Sequence, residues 1–130
     1  MKLGVAIASD NALPSAFVVM RGLEKSIKRA AELGYDGVEL ALKNHDEISH
    51  QDLRALLKKN NMEVSAISSG QGFAARGLMF TDENKEKRAE LESSFKGFID
   101  LASEFGGLVN VGRVRGMIGG RDPQLCENLF

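Results

Sequence analysis

The sequence has little of three things that define whole classes of protein: cysteine, net charge and long apolar runs. Its 130 residues contain one cysteine, Cys126, which excludes an internal disulfide framework and suits a reducing cytoplasm. The formal net charge is −1, so long-range attraction to nucleic acid or to an anionic membrane is not expected. The apolar run Leu3–Ala8 is too short for the core of a signal peptide or for a membrane span. These absences predict a cytoplasmic protein with one domain, residues 1–130, and neither nucleic acid nor a membrane as partner.

The clearest feature that is present is a helix-to-strand transition around Gly34. Apolar residues precede Gly34 at helical spacing, and glycine adopts the left-handed conformation that follows many helix ends. Asp36-Gly37 is typical of a turn, and the apolar run that follows it is typical of a short buried strand.

The same alternation of strand and helix extends along the whole chain. It predicts strands at 3–8, 37–42, 62–68 and 108–112, and helices at 21–33, 50–59 and about 81–105, with a last helix starting at Asp122-Pro123. Residues 11–20 and 69–80 are predicted to be loops. Alternating strands and helices form a parallel sheet with right-handed crossovers, either as an open doubly wound sheet or as a (β/α)₈ barrel. Four units are half of such a barrel.

Ligands of parallel α/β folds bind at the carboxyl ends of the strands, and polar residues follow the strands here. The predicted substrate-binding residues are Glu39, Gln71, Arg113 and Arg115. Arginine offers a fork of donors that matches phosphate or carboxylate, although an ion pair or solubility explains Arg113 and Arg115 equally well. Glu39 is a carboxylate within an apolar strand, which is costly to bury unless it has a partner or a function.

Three further patterns have ordinary explanations. Gly70–Ala75 has the G-x-G-x-x-A form of a dinucleotide fingerprint, but no helix is predicted to start within it. His45 and His50 are interpreted as solvent-exposed residues near a helix start, so no metal site is predicted. Phe17, Val18 and Val19 indicate a loop folded over the end of the core or, alternatively, a lid over a small ligand.

Several motifs together resemble one family. Gly34–Leu40 resembles the A-x-x-G-Y-D-G-V-E-L signature of the xylose-isomerase-like TIM barrels, the sugar phosphate isomerase/epimerase family. Ser65–Gln71, Gly77–Asp82 and the D-L-A-x-x-F-G element within Ile99–Gly106 also look like this family. The resemblance covers the whole chain but only the N-terminal half of a typical member. It implies an isomerase or epimerase that acts next to the carbonyl of a sugar or sugar phosphate.

The resemblance also implies what this chain is without. Family members bind a divalent metal (Mn, Mg, Zn or Co) through carboxylates and a histidine on the last four barrel strands, where two glutamates act as acid and base. None of those positions exists in this chain, so no metal and no catalytic residue is assigned to it, and the chain alone is expected to be inactive. The endonuclease-like branch places histidines after its third and fourth strands, where this sequence has Ser69-Gly70-Gln71 and Gly112-Arg113. A trinuclear metal site and DNA repair are therefore not expected, and Arg113-Val114-Arg115 looks more like sugar-phosphate recognition.

A four-stranded half would expose the edges of its sheet, so the sequence predicts either pairing with another chain as a homo-oligomer or continuation of the barrel in a longer protein. Two alternatives to the isomerase remain open on the sequence. One is a non-catalytic, self-associating half-barrel that binds a small anion, and the other is an open flavodoxin-like sheet that forms a stable monomer.

Overall fold

A computed structural model describes residues 1–14 and 18–130 of the chain. Within these residues, five parallel strands form one sheet in the order β2-β1-β3-β4-β5. The strands are β1 (Gly4–Ala8), β2 (Met20–Arg21), β3 (Gly37–Ala41), β4 (Glu63–Ser68) and β5 (Leu108–Asn110). The helices are α1 (Leu23–Glu32), α2 (His50–Asn60), α3 (Gly70–Arg76), α4 (Lys85–Phe105) and α5 (Pro123–Leu129). Short 3₁₀ turns lie at His45–Glu47 and Gly112–Arg115.

The placement of the helices distinguishes a barrel segment from an open doubly wound sheet, because the open sheet carries helices on both faces. Apart from the two-residue β2, the strands follow one another across the sheet in chain order, and at least one helix joins each to the next. Helices α1, α2 and α4 contribute side chains to one shared apolar core on a single face of the sheet. The prediction of parallel β/α units forming half of a TIM barrel is therefore confirmed, and β2 is a short addition at the edge beside β1.

The two faces of the sheet carry different side chains. Ile7, Leu40 and Ile67 are in register on neighbouring strands and are completely buried in the core beneath the helices. On the opposite face the register aligns Ala6, Glu39 and Ala66 instead. Because these alanine side chains are small, the face without helices has room above it, and Glu39 lies in the middle of that face.

The predicted transition after α1 is confirmed in detail. Gly34 has φ +84, in the left-handed region that favours glycine, and β3 starts at Gly37. Asp36 accepts a hydrogen bond from the backbone N–H of Leu3 at 2.7 Å, which joins the turn to the start of β1. A Cβ on Gly37 would lie 2.8 Å from the carbonyl oxygen of Glu63, so close contact with β4 also requires glycine there.

Three predicted boundaries are wrong. The loop predicted at 69–80 contains α3, and the loop predicted at 11–20 ends in β2; Phe17 lies outside the described residues. The last long helix starts at Lys85, with Asn84 as its N-cap, rather than at Thr81-Asp82. Thr81 is buried instead, and its carbonyl oxygen accepts a hydrogen bond from Arg121 at 2.5 Å.

The segment after β5 packs on a second, smaller core. Val114 is completely buried there with Leu78 and Leu91, and the ring of Phe80 contacts that of Phe130 edge to face at 5.8 Å between centroids. Asp122 caps α5 as predicted, accepting a hydrogen bond from the N–H of Gln124 at 3.0 Å. Across residues 1–14 and 18–130, no helix is both long and apolar enough to span a membrane.

Candidate functional site

A cavity of about 310 Å³ lies at the carboxyl ends of the strands, on the face of the sheet that the core helices leave uncovered. Strand residues Ala6, Glu39, Ala41 and Ser68 form part of its wall. The start of α3 and the turn after β5 complete it with Gly70, Gln71, Ala74, Gly112 and Arg113, and Val18 also lines it. Its size is at the lower end of the range for small-molecule sites.

Val18 lies over this end of the sheet. Val18 is buried against Ala8, Ala12 and Ala41, as expected for a loop that covers the core. Its neighbour Val19 is 94% exposed and does not share that role. The side chain of Arg21 holds the segment in place through hydrogen bonds to the carbonyl oxygens of Ala12 and Leu13.

Gln71 is the residue of the cavity that most clearly lacks a partner. It is the second residue of α3 and only 4% exposed, and neither its Nε2 nor its Oε1 atom has a hydrogen-bond partner. A buried amide of this kind costs about 1–3 kcal/mol per unsatisfied group, so native structures rarely leave one without a partner, which an ordered water or a bound molecule can supply.

The position of Gln71 is fixed at both ends of α3. Before the helix, the Ser69 hydroxyl lies 2.6 Å from the carbonyl oxygen of Asn110 and 2.8 Å from that of Val111, which joins the helix start to β5. At the other end, Arg76 forms an ion pair with Glu90 of α4. A Cβ on Gly72 would lie 3.8 Å from Val114, so the helix packs closely on the turn after β5.

Arg113 and Arg115 lie on different sides of the turn after β5. Arg113 is exposed and lines the cavity with Glu39 and Gln71. Arg115 lines a separate groove beside Met117, and its Nη1 atom donates to the carbonyl oxygen of Gly112 at 2.8 Å. A 3₁₀ turn has about three residues per turn, so side chains two residues apart point in different directions. The structure therefore brings together Glu39, Gln71 and Arg113 of the four predicted residues, and not Arg115.

A polar network between helices α3 and α4 and the loop after β3 was not found from the sequence. The Ser94 hydroxyl of α4 is buried; it donates to Asn44 Oδ1 at 2.9 Å and lies 3.5 Å from Arg76 Nη1. The network connects the loop after β3, helix α4 and helix α3. Its only signal in the sequence is a serine on the buried side of a predicted helix.

Both histidines contact α4: His45 is half-buried, whereas His50 keeps 43% of its side chain exposed, as the sequence interpretation expects. The ring of His45 covers Gly97 of α4, where a Cβ would lie only 2.2 Å from its Cδ2 atom. His50 contacts the carboxylate of Glu104, and its ring lies 6.3 Å from that of Phe105. Neither histidine lines the cavity.

The residues of the cavity do not fit a divalent metal. Hard cations need several oxygen ligands, and zinc needs histidine, cysteine or carboxylate groups that converge. The cavity offers one carboxylate, Glu39, with the guanidinium of Arg113 on the same wall. No cluster of three or more potential metal-binding side chains occurs among residues 1–14 and 18–130.

The dinucleotide motif is corrected in part. A helix does begin within Gly70–Ala75, at Gly70, contrary to the sequence prediction. That helix has only seven residues, and the next strand ends in Asn110 rather than in an acidic residue. A dinucleotide fingerprint also requires an acidic residue about twenty positions further on, at the end of the next strand, and this requirement is not met.

Comparison with known proteins agrees with this architecture. The sequence profile of the xylose isomerase-like TIM barrels matches residues 27–130. The chain belongs to this family. A solved structure, the AP endonuclease, family 2, from Brucella melitensis, has the same fold, with a TM-score of 0.67 and 21% sequence identity. That match covers 100% of this chain and 47% of the endonuclease chain, so this chain spans about half the length of the endonuclease. None of the curated proteins matches the sequence.

Proposed function

We propose that this chain is the N-terminal, substrate-holding portion of a cytoplasmic sugar or sugar phosphate isomerase/epimerase. The observation that supports the proposal is the cavity at the carboxyl ends of the strands, which Glu39, Gln71 and Arg113 line together. Members of this architecture bind their substrates at that end of the barrel. Arg113 on the same wall suits a phosphate, and Glu39 suits a sugar hydroxyl.

The proposal gives this chain a role in binding and not in the chemical step. The reaction is a proton transfer next to the sugar carbonyl, assisted by a divalent metal whose ligands are on strands beyond this chain. Glu39, Gln71 and Arg113 would hold the substrate so that its carbonyl faces that second half. Correct positioning contributes a large part of the rate of such reactions.

The test is an assay of ketose–aldose isomerisation and of 3-epimerisation, using the longest natural polypeptide that contains this sequence. D-Ribulose 5-phosphate is a suitable first substrate. We expect Arg113→Gln to raise KM for the phosphorylated sugar by about tenfold or more, since it removes a charge-assisted hydrogen bond. Arg115→Gln is the matched control, because Arg115 lines another groove, and it should leave KM unchanged. Absence of both activities, or equal effects of the two variants, contradicts the proposal.

A second candidate function is a self-associating half-barrel that binds a small anion without catalysis. It is favoured by the two open edges of the sheet, each of which carries an exposed apolar residue. Leu108 of β5 is 74% exposed at one edge, and Val19 beside β2 is 94% exposed at the other. The register across the sheet places β5 level with β2, so the edges of two copies could pair side by side.

Light scattering on the intact chain measures this directly, and we expect the mass of a dimer. Leu108→Asp should yield monomers because it places a charge on the pairing edge. Leu33→Asp is the control, since Leu33 is 54% exposed at the end of α1, away from both edges. A wild-type monomer, or dissociation by both variants, rules out pairing through β5.

A further inference from the structure

Helix α3 forms one wall of the cavity and has little apolar packing to hold it there. Its seven residues include two glycines, which are poor helix formers, and one large apolar side chain, Phe73. Phe73 is half-buried against the small core of Leu78, Leu91 and Val114. A helix of this length with one large apolar anchor gains little from burial, and such elements are the ones that open locally in native proteins.

The burial of Gln71 opposes the packed position of α3. Its side-chain amide is inaccessible to solvent, and neither Nε2 nor Oε1 has a hydrogen-bond partner among the described residues. If the helix moves away from the sheet, both atoms regain hydrogen bonds to water. The packed position therefore has a cost that an open position does not have, and this difference lowers the free energy that opening requires.

The polar contact at the C-terminal end of α3 is weak. Arg76 forms its ion pair with Glu90 of α4 where the two side chains are 31% and 50% exposed. Solvent screens an ion pair of that exposure, so it contributes little to stability. Arg76 Nη1 also lies 3.5 Å from the Ser94 hydroxyl, at the limit of a hydrogen bond. This contact resists opening but does not prevent it.

Glycines lie at both ends of the helix. Gly70 is its first residue, and Gly77, with φ +64, follows its last. A Cβ added to either glycine would have no described atom within 4 Å apart from its chain neighbours, so both positions lie in open space. Backbone rotation at these two glycines is therefore free of steric hindrance from the rest of the fold, as a hinge requires.

We infer that α3 is a hinged wall of the cavity, which opens as one unit about Gly70 and Gly77. The ion pair between Arg76 and Glu90 keeps it closed, and the buried amide of Gln71 favours opening. Because the start of α3 lines the cavity, opening widens the cavity beyond its closed volume of about 310 Å³. The inference concerns the ligand-free chain and goes beyond the proposed function, since it does not depend on what the cavity binds.

Amide hydrogen exchange followed by NMR, on the 130-residue chain at neutral pH, tests the inference. The N–H of Gly77 donates to the carbonyl oxygen of Phe73 at 2.9 Å, so exchange of amides at this end of α3 requires the helix to open. The buried side of α4, including Leu91 and Phe98, is the internal reference. Circular dichroism confirms that each variant is folded.

Three variants change one contact each. Gln71→Met removes the unsatisfied amide, and Arg76→Gln removes the ion pair that keeps α3 closed. Arg54→Gln is the matched control, because it removes an ion pair of the same kind between α2 and α4, away from α3.

The inference predicts one common protection factor for the amides at positions 74–77, at least about tenfold below that of the α4 reference. Gln71→Met should slow their exchange by about fivefold or more. Arg76→Gln should accelerate it by about two- to fivefold, and Arg54→Gln should leave it unchanged. Urea at about 1 M should change it by less than about twofold while it accelerates exchange in α4, because local opening exposes little surface.

Four results would overturn the inference. Protection or urea dependence equal to that of α4 means that α3 opens only when the whole chain unfolds. A gradual fall of protection towards one end means fraying rather than opening as a unit. Gln71→Met without slower exchange removes the role of the amide, and equal effects of the two arginine variants remove that of the ion pair. None of these measurements uses a ligand, so failure of the proposed function leaves their outcomes unchanged.

Discussion

Replacing Gln71 with methionine should stabilise the ligand-free protein. Methionine is similar to glutamine in length and in helix propensity, so helix α3 is little affected by the change itself. The two buried amide atoms that lack partners disappear, and an apolar side chain takes their place. Removing a buried unsatisfied group returns about 1–3 kcal/mol to the free energy of unfolding.

The assay is urea unfolding followed by circular dichroism at neutral pH, together with thermal unfolding. For a domain of this size a gain of about 1–3 kcal/mol raises Tm by several degrees. Gln51→Met is the control, because Gln51 is an exposed residue of α2 and the same chemical change there should stay within about 0.5 kcal/mol.

The two variants together separate the cavity from general effects of methionine. If Gln71→Met leaves stability unchanged or lowers it while Gln51→Met has no effect, the amide of Gln71 has a partner in solution. Addition of D-ribulose 5-phosphate should raise Tm of the wild type, since a ligand that binds only the folded form stabilises it by mass action.

Two further predictions concern contacts away from the cavity. Gly97→Ala should lower the free energy of unfolding despite the higher helix propensity of alanine, because its Cβ would meet the ring of His45. In the His45→Ala background the same substitution should instead raise the free energy of unfolding by about 0.5–1 kcal/mol. A double-mutant cycle from urea unfolding measures the two effects. The hydrogen bond to Glu63 and, to a smaller extent, the charge of Glu63 raise the pKa of Lys2 above its ordinary 10.5. The stabilisation from the raised pKa is therefore fully present below pH 10.5 and is lost as pH rises through the raised pKa. The unfolding midpoints of the wild type and Lys2→Met should therefore differ at pH 8 and converge at alkaline pH; a constant difference would contradict this.

The elements that the sequence predicts well are those whose signals are local. Gly34 and Gly37 mark the transition from α1 to β3 because the backbone conformation and the contact with β4 exclude side chains there. Asp122 caps α5 through its own neighbouring N–H groups. The helical spacing of apolar residues along α4 is also a local signal, and Leu91, Phe98 and Ala102 of that pattern are buried.

The elements that the sequence does not predict depend on distant contacts. Helix α3 contains two glycines, which are poor helix formers, and it is held by bonds from Ser69 to β5 and from Arg76 to α4. Strand β2 has two residues, too few for any periodic pattern, and it exists only because β1 offers an open edge.

The sequence predicts which strand ends contribute to the candidate site, but not how their side chains are arranged in space. Glu39 and Gln71 follow from the rule that ligands bind at the carboxyl ends of parallel strands. The separation of Arg113 from Arg115 does not, because it depends on a 3₁₀ turn where the sequence predicts the end of a strand. The burial of Gln71 is also a tertiary property, since the sequence alone gives this polar residue an exposed loop.

The short strand β2 restricts how a ring of strands can close at this side of the sheet. Met20 and Arg21 occupy the positions beside Ile7 and Ala8, so an incoming strand finds only Gly4–Ala6 of β1 unpaired. Closure then follows one of three routes: the new strand pairs with the outer edge of β2, β2 is displaced, or the new strand joins low on β1 and leaves a gap above it. The gap would open at the same end of the sheet as the cavity, and it would give small molecules a lateral entrance that a barrel of full-length strands does not have.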